Sequence, residues 1–198
     1  ITAKKGELVK YDGQFYHVFF HSLIVYPELA FDGDYMHEGY DMWMTTVSEF
    51  KAMLPQLYEK GYILVNLTDI KQNEKLMLPE GKKPFVISID DVNYYDYMEK
   101  DGFAERLIVD DNGNVLCEVK TPAGNIEQSY EGDVMPILDN FVKEHPDFSY
   151  KGAKGIVAVT GYEGVFGYNF IKAEGEEKEK ALKYIDHISE IMNNEEFW

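Results

Sequence analysis

Two adjacent carboxylates, Asp90 and Asp91, end the run Pro84-Phe85-Val86-Ile87-Ser88-Ile89. The run is apolar and rich in β-branched residues, so it reads as a buried strand. Acids at the C-terminal end of such a strand stand where α/β folds converge their chemistry. Successive side chains on a strand point to opposite sides, which lets one of the pair bind an ion while the other takes a proton. His17 and His21 lie four apart in a second apolar run, 15–25. At strand period they share one face, and both read as core histidines or as neighbours of the acid pair. Other chemistries find little support. The segment Gly161-Tyr162-Glu163-Gly164 lacks the lysine of a phosphate loop and the spacing of a dinucleotide fingerprint, and no Gly-x-Ser-x-Gly elbow is present.

The elements that must position these residues can be read from periodicity. Residues 15–25 make a buried strand, and 30–43, rich in Gly, Asp and Tyr, make a loop. Thr46 and Glu49 have capping-box spacing, and Val47, Phe50, Leu54 and Leu57 recur at helical period until Gly61, with Pro55 expected to kink the helix or bound it. A strand at 62–65, a short helix at 67–70 and a polar connection at 71–83 lead into the strand that delivers the acid pair. Residues 106–130 spell a β-hairpin about Asn112-Gly113. Asp133 caps a helix carrying Val134, Ile137, Leu138, Phe141 and Val142, stopped before Pro146. A buried strand at 155–160, a loop at 161–168 rich in Gly and Tyr, and an amphipathic helix at 178–192 follow. Strand and helix alternate, which favours a parallel sheet or an α/β barrel. Residues 193–198 end on Phe197 and Trp198, as though a further strand were about to begin.

Composition bounds the partners. The 198 residues suit one domain, and 19 Lys plus Arg against 36 Asp plus Glu give a formal charge of −17, which disfavours nucleic acid and anionic membrane surfaces. No apolar run approaches the length of a membrane span. Cys117 is the single cysteine, so neither an intramolecular disulfide nor a thiolate metal cluster can form.

Several segments, in order and spacing, resemble the polysaccharide deacetylase family (NodB-homology domain), carbohydrate esterases with a distorted (β/α) barrel. Val18-Phe19-Phe20-His21 is similar to the family's first strand with its terminal histidine. Residues 46–57, Gly61-Tyr62 and 67–70 are similar to its first helix, second strand and following turn. Ser88-Ile89-Asp90-Asp91 stands at its first motif, usually Thr-Phe-Asp-Asp-Gly, with Ile89 for the aromatic and Val92 for the glycine. The loop 159–168 resembles a divergent bacterial branch.

The resemblance implies an α/β fold of the distorted-barrel type, incomplete at its C-terminal end. It makes 1–198 a single, partial deacetylase-like domain, with 106–130 as an inserted hairpin. It implies that Asp90 is the general base, that Asp91 is a ligand of a divalent metal such as zinc, and that His21 stands near that metal. Tyr94 and Tyr162 are then supporting or sugar-stacking residues. The family's later His-Ser/Thr-x-x-His ligands do not occur in this sequence, so this chain alone is expected to have little activity. The implied function is removal of acetyl groups from a cell-surface polysaccharide or peptidoglycan sugar, outside the cell or at its surface. The alternative is a non-catalytic relative that binds glycan or protein. An incomplete barrel also leaves an unpaired sheet edge, through which self-association is expected, unless the hairpin masks it.

Overall fold

The computed structural model describes residues 7–71 and 76–194. The expected strand start at Phe197 and Trp198 lies outside the described residues. In chain order the elements are β1 (Leu8–Lys10), β2 (Tyr16–Phe20), α1 (Pro27–Ala30), α2 (His37–Trp43), α3 (Val47–Glu59), β3 (Tyr62–Leu64), α4 (Leu67–Lys71), β4 (Met77–Pro79) and β5 (Lys83–Ile89). There follow β6 (Ala104–Val109), β7 (Val115–Lys120), β8 (Ile126–Ser129), α5 (Val134–Glu144), β9 (Ile156–Val157) and α6 (Gly175–Asn194). The chain is an α/β protein.

The acid-bearing strand β5 is the centre of a parallel sheet. β2 runs along one side of it, while β3 pairs with its first half and β9 with its last two residues on the other side. Among the described residues the sheet does not close into a barrel, because the outer edge of β2 has no partner strand. A separate antiparallel sheet, in the order β6-β7-β8, holds the expected hairpin, whose Asn112-Gly113 turn has Gly113 at φ +82°. It does not cover the edge of the parallel sheet. Its apolar face (Leu107, Val115, Cys117, Val119) instead joins α5 in the main core.

The two faces of β5 have different fates. Phe85, Ile87 and Ile89 alternate onto the side covered by α3, where they meet Phe50, Leu54 and Leu64. On the opposite face Val86 packs with Ile63, Val65 and Leu78, and toward the C-terminal end this small cluster gives way to Ser88 and Asp90. β2 follows the same alternation: Val18 and Phe20 face the core, and His17, Phe19 and His21 the open side.

Several expectations are corrected. Run 15–25 is not one buried strand: β2 is five residues long, and Phe15, Tyr16 and Phe19 stay about half exposed because the strand is an edge, while the buried residues are Ser22, Leu23 and Ile24 beyond it. Segment 30–43 is not all loop, since Asp34 accepts hydrogen bonds from the Met36 and His37 N–H groups and opens α2, which buries Tyr40. Of the two fates expected of Pro55 the boundary is not met, since it lies inside α3, whose capping box forms as the spacing dictates. Run 155–160 contributes only Ile156 and Val157 to the sheet.

Candidate functional site

The parallel ladder sets the site. Phe20 lies opposite Ile89, so His21 and Asp90 are the next residues on two adjacent strands, and the Asp90 N–H donates to the Phe20 carbonyl at 2.7 Å. From the other side, the Ala158 N–H donates to the Ile89 carbonyl (2.8 Å) and the Val92 N–H to the Ala158 carbonyl (3.2 Å). Thr160 follows, its hydroxyl 3.1 Å from that of Tyr95. The structure therefore brings His21, Asp90, Asp91 and Thr160 to one end of the sheet. Asp91 itself takes a left-handed backbone, φ +54°, a conformation that Asp tolerates better than most residues. The sharp turn after the strand thus falls on Asp91. Val92, where a glycine was expected by resemblance, is buried, and its carbonyl accepts the Phe166 N–H at 3.0 Å.

Asp90 is half-buried and has a hydrogen-bonded neighbour on its own strand. The Ser88 hydroxyl donates to it at 3.4 Å and lies 3.0 Å from His17 Nε2. His17 is exposed on the open face, so it is a neighbour of the acid pair rather than a core histidine. His21 differs: it is half-buried beneath the edge of the Phe19 ring, 5.8 Å between centroids, and its Nδ1 is shut off from solvent with no hydrogen-bond partner. A buried ring nitrogen without a partner is uncommon, because desolvation without compensation costs about 1–3 kcal/mol, and it suits a residue that meets a ligand.

Beneath the acid pair lies a carboxylate that sequence reasoning recognised only as a helix cap. Asp133 Oδ1 accepts the Val134 N–H (2.7 Å) at the start of α5 and also the Leu23 N–H (3.2 Å), two residues beyond His21. Its Oδ2 accepts the Tyr94 hydroxyl, three residues beyond Asp91. Asp133 therefore ties together both site-bearing loops and a helix. Burial pushes its carboxyl up to about 6, against the pull of those hydrogen bonds. Burial also raises the Tyr94 hydroxyl and the adjacent Cys117 thiol well above their ordinary values. A capping pattern identifies Asp133, but nothing local reveals its contacts 39 and 110 residues away.

A second unpredicted residue is Asn93. Its buried side chain donates to the Tyr162 carbonyl (3.1 Å) and accepts the Gly167 N–H (2.9 Å), so the loop 161–168 is clamped to the acid loop. Gly164 and Gly167 make that loop possible. Both have positive φ, and a Cβ at either would strike backbone, of Tyr168 in one case and of Glu105 and Arg106 in the other. The clamp leaves the Tyr162 side chain 67% exposed. Tyr94 and Tyr162 thus part: the first has its hydroxyl turned inward on Asp133, and the second projects into solvent.

No three or more His, Cys, Asp or Glu residues are grouped closely enough to hold a metal ion among the described residues. Asp91 and His21 would supply one carboxylate and one imidazole, fewer than the three or four protein ligands of a tight site. Larger clefts lie elsewhere: one of about 330 Å³ where α6 meets β6 and β7, and one of about 500 Å³ between β1, β3 and β4. Neither is lined by His21, Asp90 or Asp91. Comparison with protein-family models, with curated proteins and with solved structures finds no match to this chain.

Proposed function

We propose that this chain is part of a deacetylase-type hydrolase that removes acetyl groups from a polysaccharide or peptidoglycan sugar at the cell surface or outside the cell. In this reading the parallel sheet is one section of a distorted (β/α) barrel of the polysaccharide deacetylase type. The observation that carries it is the convergence of His21, Asp90 and Asp91 at the C-terminal ends of two adjacent parallel strands, with a ring nitrogen of His21 buried and unpartnered. Asp90 takes the proton of the attacking water, with Ser88 fixing its carboxylate by a hydrogen bond. Asp91 and His21 would supply a carboxylate and an imidazole to a divalent ion such as zinc, which when bound would acidify that water and polarise the acetyl carbonyl. Tyr94 holds the acid loop through Asp133, and Tyr162 meets the sugar.

Because the ligand set among the described residues is short of three, zinc or cobalt should bind weakly, with Kd above about 10 μM, and Asp91→Ala should abolish the binding in calorimetry. Submicromolar affinity would show ligands beyond this pair, and binding indifferent to Asp91→Ala would overturn its role. The short ligand set also favours a second reading, a relative that binds glycan or protein without chemistry. An acetylated oligosaccharide that binds equally well with and without zinc, and equally well to Asp90→Asn and Asp91→Ala, would decide for it. Self-association belongs to the proposal as well. Among the described residues the outer edge of β2 is unpaired, and Phe15, Tyr16 and Phe19 beside it are about half exposed. Sedimentation at rising concentration should show a dimer, and a strict monomer would remove this part of the reading.

A further inference from the structure

Tyr95, Tyr97 and Tyr162 form one continuous aromatic surface on the outer side of the acid loop. Tyr95 and Tyr97 are stacked, with 5.5 Å between centroids and 16° between planes, and Tyr162 leans on Tyr95 at 5.9 Å and 52°. The inner ring is buried, while Tyr97 and Tyr162 remain 43% and 67% exposed. The surface is not a loose arrangement. Tyr95 is pinned by Thr160, the Tyr162 backbone by Asn93, and the Asp96 N–H by the Glu163 carboxylate at 3.0 Å. A backbone held this way, with Tyr97 and Tyr162 packed on the pinned Tyr95 ring, limits the entropy the open rings lose on meeting a ligand.

The surroundings select the ligand chemistry. A cavity of about 210 Å³ adjoins Tyr95, lined among others by Tyr94, Asp96, Glu105, Arg106 and Glu163. Burial raises the Tyr95 and Tyr97 hydroxyls, and the negative charges of Asp91 and Glu163 act on both. Two cations stand at this place and both are paired: Lys172 with Asp96, 4.0 Å from Glu163, and Arg106, which lines the cavity, with Glu118. Rigid tyrosine faces flanked by carboxylates suit a sugar, whose C–H face lies on the negative face of a ring while its hydroxyls donate to the acids. An anionic sugar would meet the excess of carboxylates and a chain of net charge −17.

We propose that Tyr95, Tyr97 and Tyr162 make a stacking subsite for an uncharged pyranose ring, which places neutral sugar polymers ahead of uronic-acid or phosphate-bearing ones. The inference rests on the glycan part of the reading above and not on its chemistry. The probe is N-acetylchitotetraose, titrated against the full chain by calorimetry and by NMR of the tyrosine rings. Tyr162→Ala and Tyr97→Ala should each weaken binding about tenfold, as expected of an aromatic anchor. Tyr162→Phe should hold it within about twofold, because the ring face is kept. Tyr35→Ala, at another exposed tyrosine, should leave it unchanged. A hyaluronan tetrasaccharide, with its carboxylates, should bind at least about tenfold more weakly. Unchanged affinity in Tyr162→Ala, equal or tighter binding of hyaluronan, or no saturation by N-acetylchitotetraose up to about 10 mM would overturn the proposal. Acetate release and the effect of chelator, followed in the same samples, keep the two readings apart. Binding that depends on Tyr162 and survives chelation sustains the subsite whether or not the chain releases acetate, whereas acetate release that chelator abolishes sustains the deacetylase reading separately.

Discussion

Tyr94 and Tyr95 are neighbours of identical type, and the fold uses them in opposite ways. Tyr94 turns inward, its hydroxyl bonded to Asp133 in the layer that joins α5, β7 and the β2 loop. Tyr95 turns outward into the surface completed by Tyr97 and Tyr162. On the inner side of the loop the Asp133 carboxylate partners the Tyr94 hydroxyl and the Leu23 and Val134 N–H groups, and losing it is costly. The outer side is a place where rings are presented to solvent and can change with little effect on the fold. A stabilising region and a binding region are separated here by the thickness of one backbone.

The sharpest way to break this contrast is Asp133→Ala. It strips acceptors from the Val134 and Leu23 N–H groups and from the Tyr94 hydroxyl, all of them inside the protein. A loss of about 3–4 kcal/mol is expected in urea unfolding. A loss under about 1 kcal/mol would mean that water or neighbouring groups replace the carboxylate, and that the inner side is no more demanding than the outer.

The next effect is a pH dependence. Asp133 titrates at about 6 in the folded protein, raised chiefly by burial, against about 4 in an unfolded chain. The folded state thus holds this proton longer than the unfolded one. The resulting stability is fully present below about pH 4 and is lost as the pH rises through about 6. Between those limits the protein should lose about 2–3 kcal/mol relative to Asp133→Asn, which keeps an acceptor oxygen but cannot ionise. Parallel pH profiles of the two proteins would place the folded value within the carboxylate range instead.

The smallest effect is expected on the outer side. Tyr162→Ala should change stability by less than about 0.5 kcal/mol, since the side chain is largely exposed and only its backbone is held by Asn93. A loss above about 1.5 kcal/mol in the same urea experiment would show that the ring supports Tyr95 and that the division of labour across the loop is false.

Periodicity and punctuation made much of the frame legible. Thr46 and Glu49 form the capping box that their spacing announces, Asn112-Gly113 makes its hairpin turn, Asp133 caps α5, and an apolar run delivers two acids to the end of the central strand. These are local rules, satisfied by residues within a few positions of each other. Helix α2 escaped them because its start depends on the side chain of Asp34, and its sequence carries Gly39 and few strong helix formers. The third strand of the antiparallel sheet, β8, escaped because its side chains are mostly exposed and show no apolar alternation.

What the sequence determined by itself is therefore the set of elements and the position of the acid pair at a strand end. Which strands lie side by side was a tertiary decision: β5 takes the centre, so that His21 comes to rest beside Asp90 from another strand, and β2 is left as an edge with half-exposed aromatics. The partners of Asp133 and Asn93 were decided at the same level. A carboxylate or an amide states what it can bond to, but only the packed core brings Leu23, Tyr94 and Gly167 within reach and removes the water that would otherwise serve as well.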